Sequence, residues 1–243
     1  MTPRASGETG PEATAHPLAR RALAECLGTA FLVAAVVGSG IAAARLSPAD
    51  FGLELLENAV ITGAVLVALI LALQPVSAAF NPVVTLVEAA MRVVDTATAA
   101  ALIAAQFAGG IIGAIVANLM FGLDAVSISQ HHRSGHAVWL AEVIATVGLL
   151  MVIFGTLRSG RTEQVAFAVG GYILAAYWFT SSTSFANPAV TVARMFSNTF
   201  AGISPASVPG FVIAQLVGGL LGWLLIRALY PNAVPRSLEG TVP

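Results

Sequence analysis

Lysine is absent from this 243-residue chain, and all 11 basic residues are arginine. No mechanism follows from that bias alone. Charge of either sign is scarce: 9% of residues are charged, against about 25% in an ordinary soluble domain. That shortage excludes a surface that faces water all round. A formal net charge of −1 gives no electrostatic footprint for a polyanion, so no nucleic-acid partner is implied. There is one cysteine, Cys26, which excludes an internal disulfide and any multi-thiolate metal site. No cofactor or metal is expected.

What is abundant is apolar. Hydrophobic residues make up 57% of the chain, and the mean hydropathy is +0.87. The run Ala22–Ala44 carries no charge except Glu25, and Gly63–Leu73 carries none. Such lengths suit a ~30 Å hydrocarbon core, which takes ~20 apolar residues per helix. Six spans are predicted, at about 20–43, 55–74, 97–121, 137–157, 164–182 and 208–229. Residues 1–19, with Pro3, Gly7, Gly10, Pro11 and Pro17, read as a disordered tail rather than a secretory signal. The expected organisation is a single channel-sized domain over 20–232, with a second tail at 233–243.

Two apolar pieces, near 81–91 and 187–196, are too short to cross, and each opens on Asn-Pro. The chain also repeats itself. Ala24–Thr29 resembles Ala141–Thr146, Asn81–Thr85 matches Asn187–Thr191, and Ala105–Gly110 matches Ala214–Gly219. The offsets are 117, 106 and 109 residues, so order is kept while loop lengths differ. Three spans per half force the second half to insert upside down. The predicted fold is therefore all-α and membrane-spanning: six transmembrane helices and two re-entrant half-helices in an inverted 3+3 repeat.

Arginine placement gives the orientation. Arg4, Arg20, Arg21, Arg92, Arg158, Arg161, Arg227 and Arg236 fall on one side if six spans alternate, against Arg45 and Arg133 on the other. Eight against two places both termini in the cytoplasm.

Asn is a preferred N-cap and Pro suits the first helical position. Asn81-Pro82-Val83 and Asn187-Pro188-Ala189 therefore each start a short helix. Broken helices are tolerated in lipid only where they are buried in protein or line a water-filled cavity. Inverted symmetry sets the two amino ends nose to nose at mid-depth, where each carries roughly half a positive charge. The two Asn amides can then donate into a shared lumen.

Ser77–Thr85 and Phe185–Val190 resemble the two signature loops of the aquaporin, or major intrinsic protein, family. The resemblance covers about residues 20–230. It implies a right-handed bundle, usually a homotetramer with one pore per subunit, that passes water and small neutral solutes across a cell (inner) membrane. It also implies that Glu25 and Glu142 hold the signature loops by accepting their N–H groups. Counted from the motifs, the selectivity filter maps to Thr62, Ala175, Ser184 and Val190, with Ile61 the alternative to Thr62. Water-selective members carry an aromatic, a histidine and an arginine there. Their replacement predicts a wide, less polar opening. Val83, in place of the usual alanine, is expected to reshape the midplane slightly.

Arg194, one turn beyond Val190, either overhangs the mouth or ties down loop carbonyls. The valine-bearing second motif resembles a bacterial subgroup of aquaglyceroporins associated with arsenic resistance, which makes glycerol, urea and arsenous acid plausible solutes. His131, His132 and His136, beside Arg133, could bind a metal or sense pH; the simpler expectation is a solvated loop. An ion-coupled secondary transporter and a purely structural membrane protein are the competing classes. Neither a nucleophile nor a metal cluster accompanies the two glutamates, so no enzyme is expected.

Overall fold

The computed structural model describes residues 16–231. Most of the two predicted tails, with Arg4 and Arg236, lies outside the described residues. Every regular element among the described residues is helical. Five helices have the length and hydropathy of a membrane span: α1 (Leu18–Leu46), α2 (Phe51–Leu73), α4 (Thr96–Met120), α5 (His136–Arg158) and α8 (Val208–Leu229). Between them stand α3 (Pro82–Ala90), α6 (Val165–Phe179) and α7 (Pro188–Ala193).

The fifth predicted span, at 164–182, is shorter than expected. At 15 residues, α6 is about 22 Å long, although the 3₁₀ turn Thr162–Gln164 runs directly into it. It stops at Phe179, not 182. The segment Thr180–Ser184 consists entirely of hydroxyl residues, whose side chains compete for backbone partners. The Thr180 hydroxyl does so, donating to Ala176 O at 2.6 Å. At the other end of the chain, α1 begins at Leu18, inside the predicted tail.

The packing is two-fold. α1 lies against α4 and α2, as α5 lies against α8 and α6, and α2 meets α6 across the pseudo-axis. Glycines set the distances. A Cβ on Gly109 would sit 2.1 Å from Cys26 O, and one on Gly113 would sit 2.2 Å from Ala30 O, so α1 and α4 touch backbone to backbone. At the axis Gly63 and Gly170 are reciprocal: a Cβ on either would come within 3 Å of the other's carbonyl oxygen, at 2.9 and 2.6 Å. Small residues at such crossings are how helices associate in lipid. Large apolar side chains point away from the bundle, among them Phe31, Leu140, Phe167 and Ile213, each at least 60% exposed. A hydrocarbon surround accounts for that outer face.

Candidate functional site: a pore between two half-helices

Alternation of the helices defines two ends. The ends of α2 and α5, with the starts of α1, α4 and α6, lie on the side of the termini; the starts of α2, α5 and α8 lie on the far side. The two half-helices meet between these sides.

Each half-helix is capped by its asparagine. Asn81 Oδ1 accepts from Val83 N at 3.0 Å, and Asn187 Oδ1 accepts from Ala189 N and Val190 N at 3.0 and 3.2 Å. Their amide nitrogens cross over. Asn81 Nδ2 donates to Ala186 O, and Asn187 Nδ2 donates to Phe80 O, both at 2.8 Å. Each amide thus spends one proton on the opposite loop and keeps the second.

Phe80 and Ala186 are the equivalent residues before the caps, with φ of 48° and 46°. Non-glycine residues rarely hold this conformation. The two glutamates stabilise it. Glu25 accepts from Ser77 Oγ, Ala79 N, Phe80 N and Gln106 Nε2 at 2.6–2.8 Å. Glu142 accepts from Phe185 N, Ala186 N and Gln215 Nε2 at 2.9, 2.9 and 2.6 Å. Neither carboxylate has accessible surface. Gln106 and Gln215 extend each network, donating to Thr85 Oγ1 and Thr191 Oγ1. Sequence reasoning gave these four residues no role, although Gln and Thr recur at matching places in both repeat motifs.

A cavity of about 650 Å³, counting space that opens to solvent, runs past both caps. Its apolar wall comes from i, i+4 pairs on four helices: Leu32 and Val36, Leu66 and Ile70, Leu149 and Ile153, Val169 and Ile173. The wall obeys the repeat, since 32 pairs with 149 and 36 with 153 at the offset of 117.

Polar side chains break the symmetry at one end. On α2 and α6, Thr62 corresponds to Val169 and Tyr177 to Ile70 at a common offset of 107. Thr62 Oγ1 and Tyr177 OH lie 3.2 Å apart, buried in the wall. Asn81, Asn187, Thr62, Ser184, Val190 and Arg194 all line the cavity.

Ala175 does not line it. It is exposed on the outer face of α6, and Tyr177 occupies the pore-facing position. Two residues rotate a helix by about 200°, so a two-residue error in counting across the Thr180–Ala186 loop reverses the face. The spacing of Val169, Ile173 and Tyr177 on one side of α6 was the available signal. Ile61 is 46% exposed, which leaves Thr62 as the α2 residue. Val83 also stays out of the cavity. It packs into the hollow at Gly219, where a Cβ would meet Val83 Cγ1 at 2.7 Å, so its extra carbons do not reshape the midplane.

Arg194 is 2% exposed. Its Nε donates to Ala201 O, and its guanidinium carbon lies 3.5 Å from the centroid of the Phe185 ring. On the far-side loop, Arg133 donates to Gly202 O and Phe200 O at 3.0 and 3.2 Å and stands 5.4 Å from the same centroid. His131 and His132 join this loop to the start of α8: Ser204 N donates to His131 O at 2.8 Å, and Ser204 Oγ lies 3.1 Å from His132 Nδ1. Burial and the nearby Arg133 charge hold His131 below the usual histidine range. No group of three potential metal ligands exists among the described residues, His131, His132 and His136 included.

A profile of the major intrinsic protein family matches residues 12–165 and 157–242. This chain belongs to the major intrinsic protein family. It is a multi-pass membrane channel, not an enzyme. Aquaglyceroporin AqpS of Rhizobium meliloti (strain 1021) is 51% identical over 219 residues, covering 90% of this chain and 93% of that protein. The X-ray structure of the aquaglyceroporin from Plasmodium falciparum superposes with a TM-score of 0.68. It covers 88% of this chain and 98% of that one at 18% identity, a likeness of fold alone.

Proposed function

We propose that the chain is a passive channel for small neutral polyhydroxy solutes and water, working as a homotetramer in the cell (inner) membrane with both termini cytoplasmic. The far side is then the outer side. Glycerol, urea and arsenous acid are the solutes in view, the last because it is a small neutral triol resembling glycerol. Similarity to a protein named an aquaglyceroporin supports this reading.

The observation that carries it is the make-up of the cavity wall around Val190. Val190 stands there in place of an arginine, beside an apolar wall and the hydroxyls of Thr62, Tyr177 and Ser184. Few polar groups against an apolar wall suit a solute with hydroxyls on one edge and carbon on the other. The proposed filter is Thr62, Tyr177, Ser184 and Val190. Tyr177 makes it narrower than an alanine would, and adds a hydroxyl.

A water-selective pore is the alternative, favoured by the bulk of Tyr177 and by Arg194 at the cavity wall. Coupled transport has less support. Glu25 and Glu142 are occupied by loop amides, and no carboxylate lines the cavity among the described residues. Swelling of proteoliposomes in glycerol, urea and arsenite gradients tests the proposal. Water flux without solute flux overturns it, and saturable flux that depends on a proton gradient supports coupling instead.

A further inference from the structure

Arg194 lies seven residues after Asn187, as Glu88 lies seven after Asn81. Both are buried, at 2% and 5% exposure, so the half-helices end on opposite charges at opposite ends of the pore. A guanidinium withdrawn this far from water is costly unless it is fixed and paired. Arg194 is fixed on two sides. Nε is spent on Ala201 O, and the guanidinium plane is set by the Phe185 ring 3.5 Å from its carbon. The ring is held in turn by its backbone N–H on Glu142 Oε1 at 2.9 Å and by Phe211 at a centroid distance of 5.0 Å. The Nε bond is the only hydrogen bond of this side chain among the described residues, and Arg194 lines the cavity. Its Nη groups therefore remain as donors beside the lumen.

Resting on the channel reading above, we propose that Arg194 sets specificity by charge. From one helical turn further out, it supplies the fixed positive field that Val190 lacks, and so bars monovalent cations and hydronium from a filter built for neutral solutes. Val190 and Arg194 are four residues apart, on one face of the half-helix. Arg133 is a positioning residue. With Arg194 it occupies the three successive carbonyls Phe200, Ala201 and Gly202, which fixes the chain segment against which Arg194 is braced.

The test is the ratio of sodium (or proton) permeability to glycerol permeability in proteoliposomes of the full chain. Arg194→Gln keeps a donor for Ala201 O and removes the charge. The ratio is expected to rise on the order of 100-fold, the Boltzmann factor for a unit charge met at ~6 Å in an effective dielectric of ~20. Arg194→Lys keeps the charge and loses the planar fork, and its ratio is expected to stay within about threefold of the parent's. A ratio unmoved in R194Q overturns the proposal, leaving Arg194 a brace for the loop. If R194Q is inactive, R194K decides: cation exclusion retained supports the proposal, and leakage or loss of all flux overturns it. Glycerol flux of the unmodified protein in the same vesicles tests the channel reading by itself; its absence sinks that reading whatever the variants do.

Discussion

Thr62 and Tyr177 share a hydrogen bond of 3.2 Å across the seam between α2 and α6. It lies above the crossing where Gly63 and Gly170 bring the two helices together. The bond joins two hydroxyls in an otherwise apolar wall, and it occurs at one end of the pore only.

The size limit of the filter should therefore reside in Tyr177. Tyr177→Ala is expected to raise permeability to four-carbon polyols several-fold more than permeability to glycerol. Tyr177→Phe keeps the bulk and leaves Thr62 without its partner, at about 0.5–1.5 kcal/mol. Ala175→Leu, on the outer face of the same helix, should stay within about twofold of the parent in stopped-flow light scattering. A block by leucine at 175 would refute the register of α6 given above.

Restoring the missing cation at the filter should narrow it. Val190→Arg adds bulk and a fork of donors beside Ser184 and Tyr177. Glycerol flux is expected to fall at least tenfold, while water flux falls much less. Equal loss of both would point to a collapsed pore.

The carboxylates should be intolerant of change. Glu142→Gln turns one of the acceptor oxygens into a donor facing N–H groups of Phe185, Ala186 and Gln215. Each stranded buried donor costs about 1–3 kcal/mol. The expected result is a large fall in the unfolding midpoint in detergent, with flux lost. Glu25→Gln should behave alike, since Ala79, Phe80 and Gln106 stand in the same relation to it.

Helix contacts give a paired test. Gly113→Ala drives a methyl to 2.2 Å from Ala30 O and must part α1 from α4, at about 1–3 kcal/mol. At Gly171 nothing lies within 4 Å of the added carbon, and alanine there should be neutral or stabilising by up to ~1 kcal/mol. Thermal unfolding in a common detergent compares the two.

The far-side loop should respond to acid. His131 has a depressed pKa, from burial first and then the Arg133 charge. A histidine held below its unfolded value favours the folded loop above the ordinary histidine range, and that contribution is lost as pH falls through the lowered value. Proteolysis of the 124–135 segment should therefore speed up on acidification. A rate independent of pH between about 7 and 5 would contradict this.

Much of the fold was open to reading because its signals are local. Hydropathy marked the spans, Asn-Pro marked both half-helix starts, and two glutamates in apolar runs marked the loop holders. What escaped depended on distances along irregular chain. Tyr177 is tied to Asn187 by a loop whose length no local rule sets, so counting back from the motif arrived at Ala175. The reach of Arg194 depended on Phe185 and Ala201, which its own helix could not reveal. The shortness of α6 was hidden because Thr180–Ser182 follow an apolar run without a charge to mark its end.

The acceptor for the Asn81 amide is Ala186 O, 105 residues further along the chain. At a synthesis rate of about 5–20 residues per second, the first loop waits roughly 5–20 s for a partner that the ribosome has not yet made. Throughout that interval the Asn81 amide lacks the acceptor that it has in the finished fold. The crossed pairing of the two caps therefore cannot close before the second loop has been made.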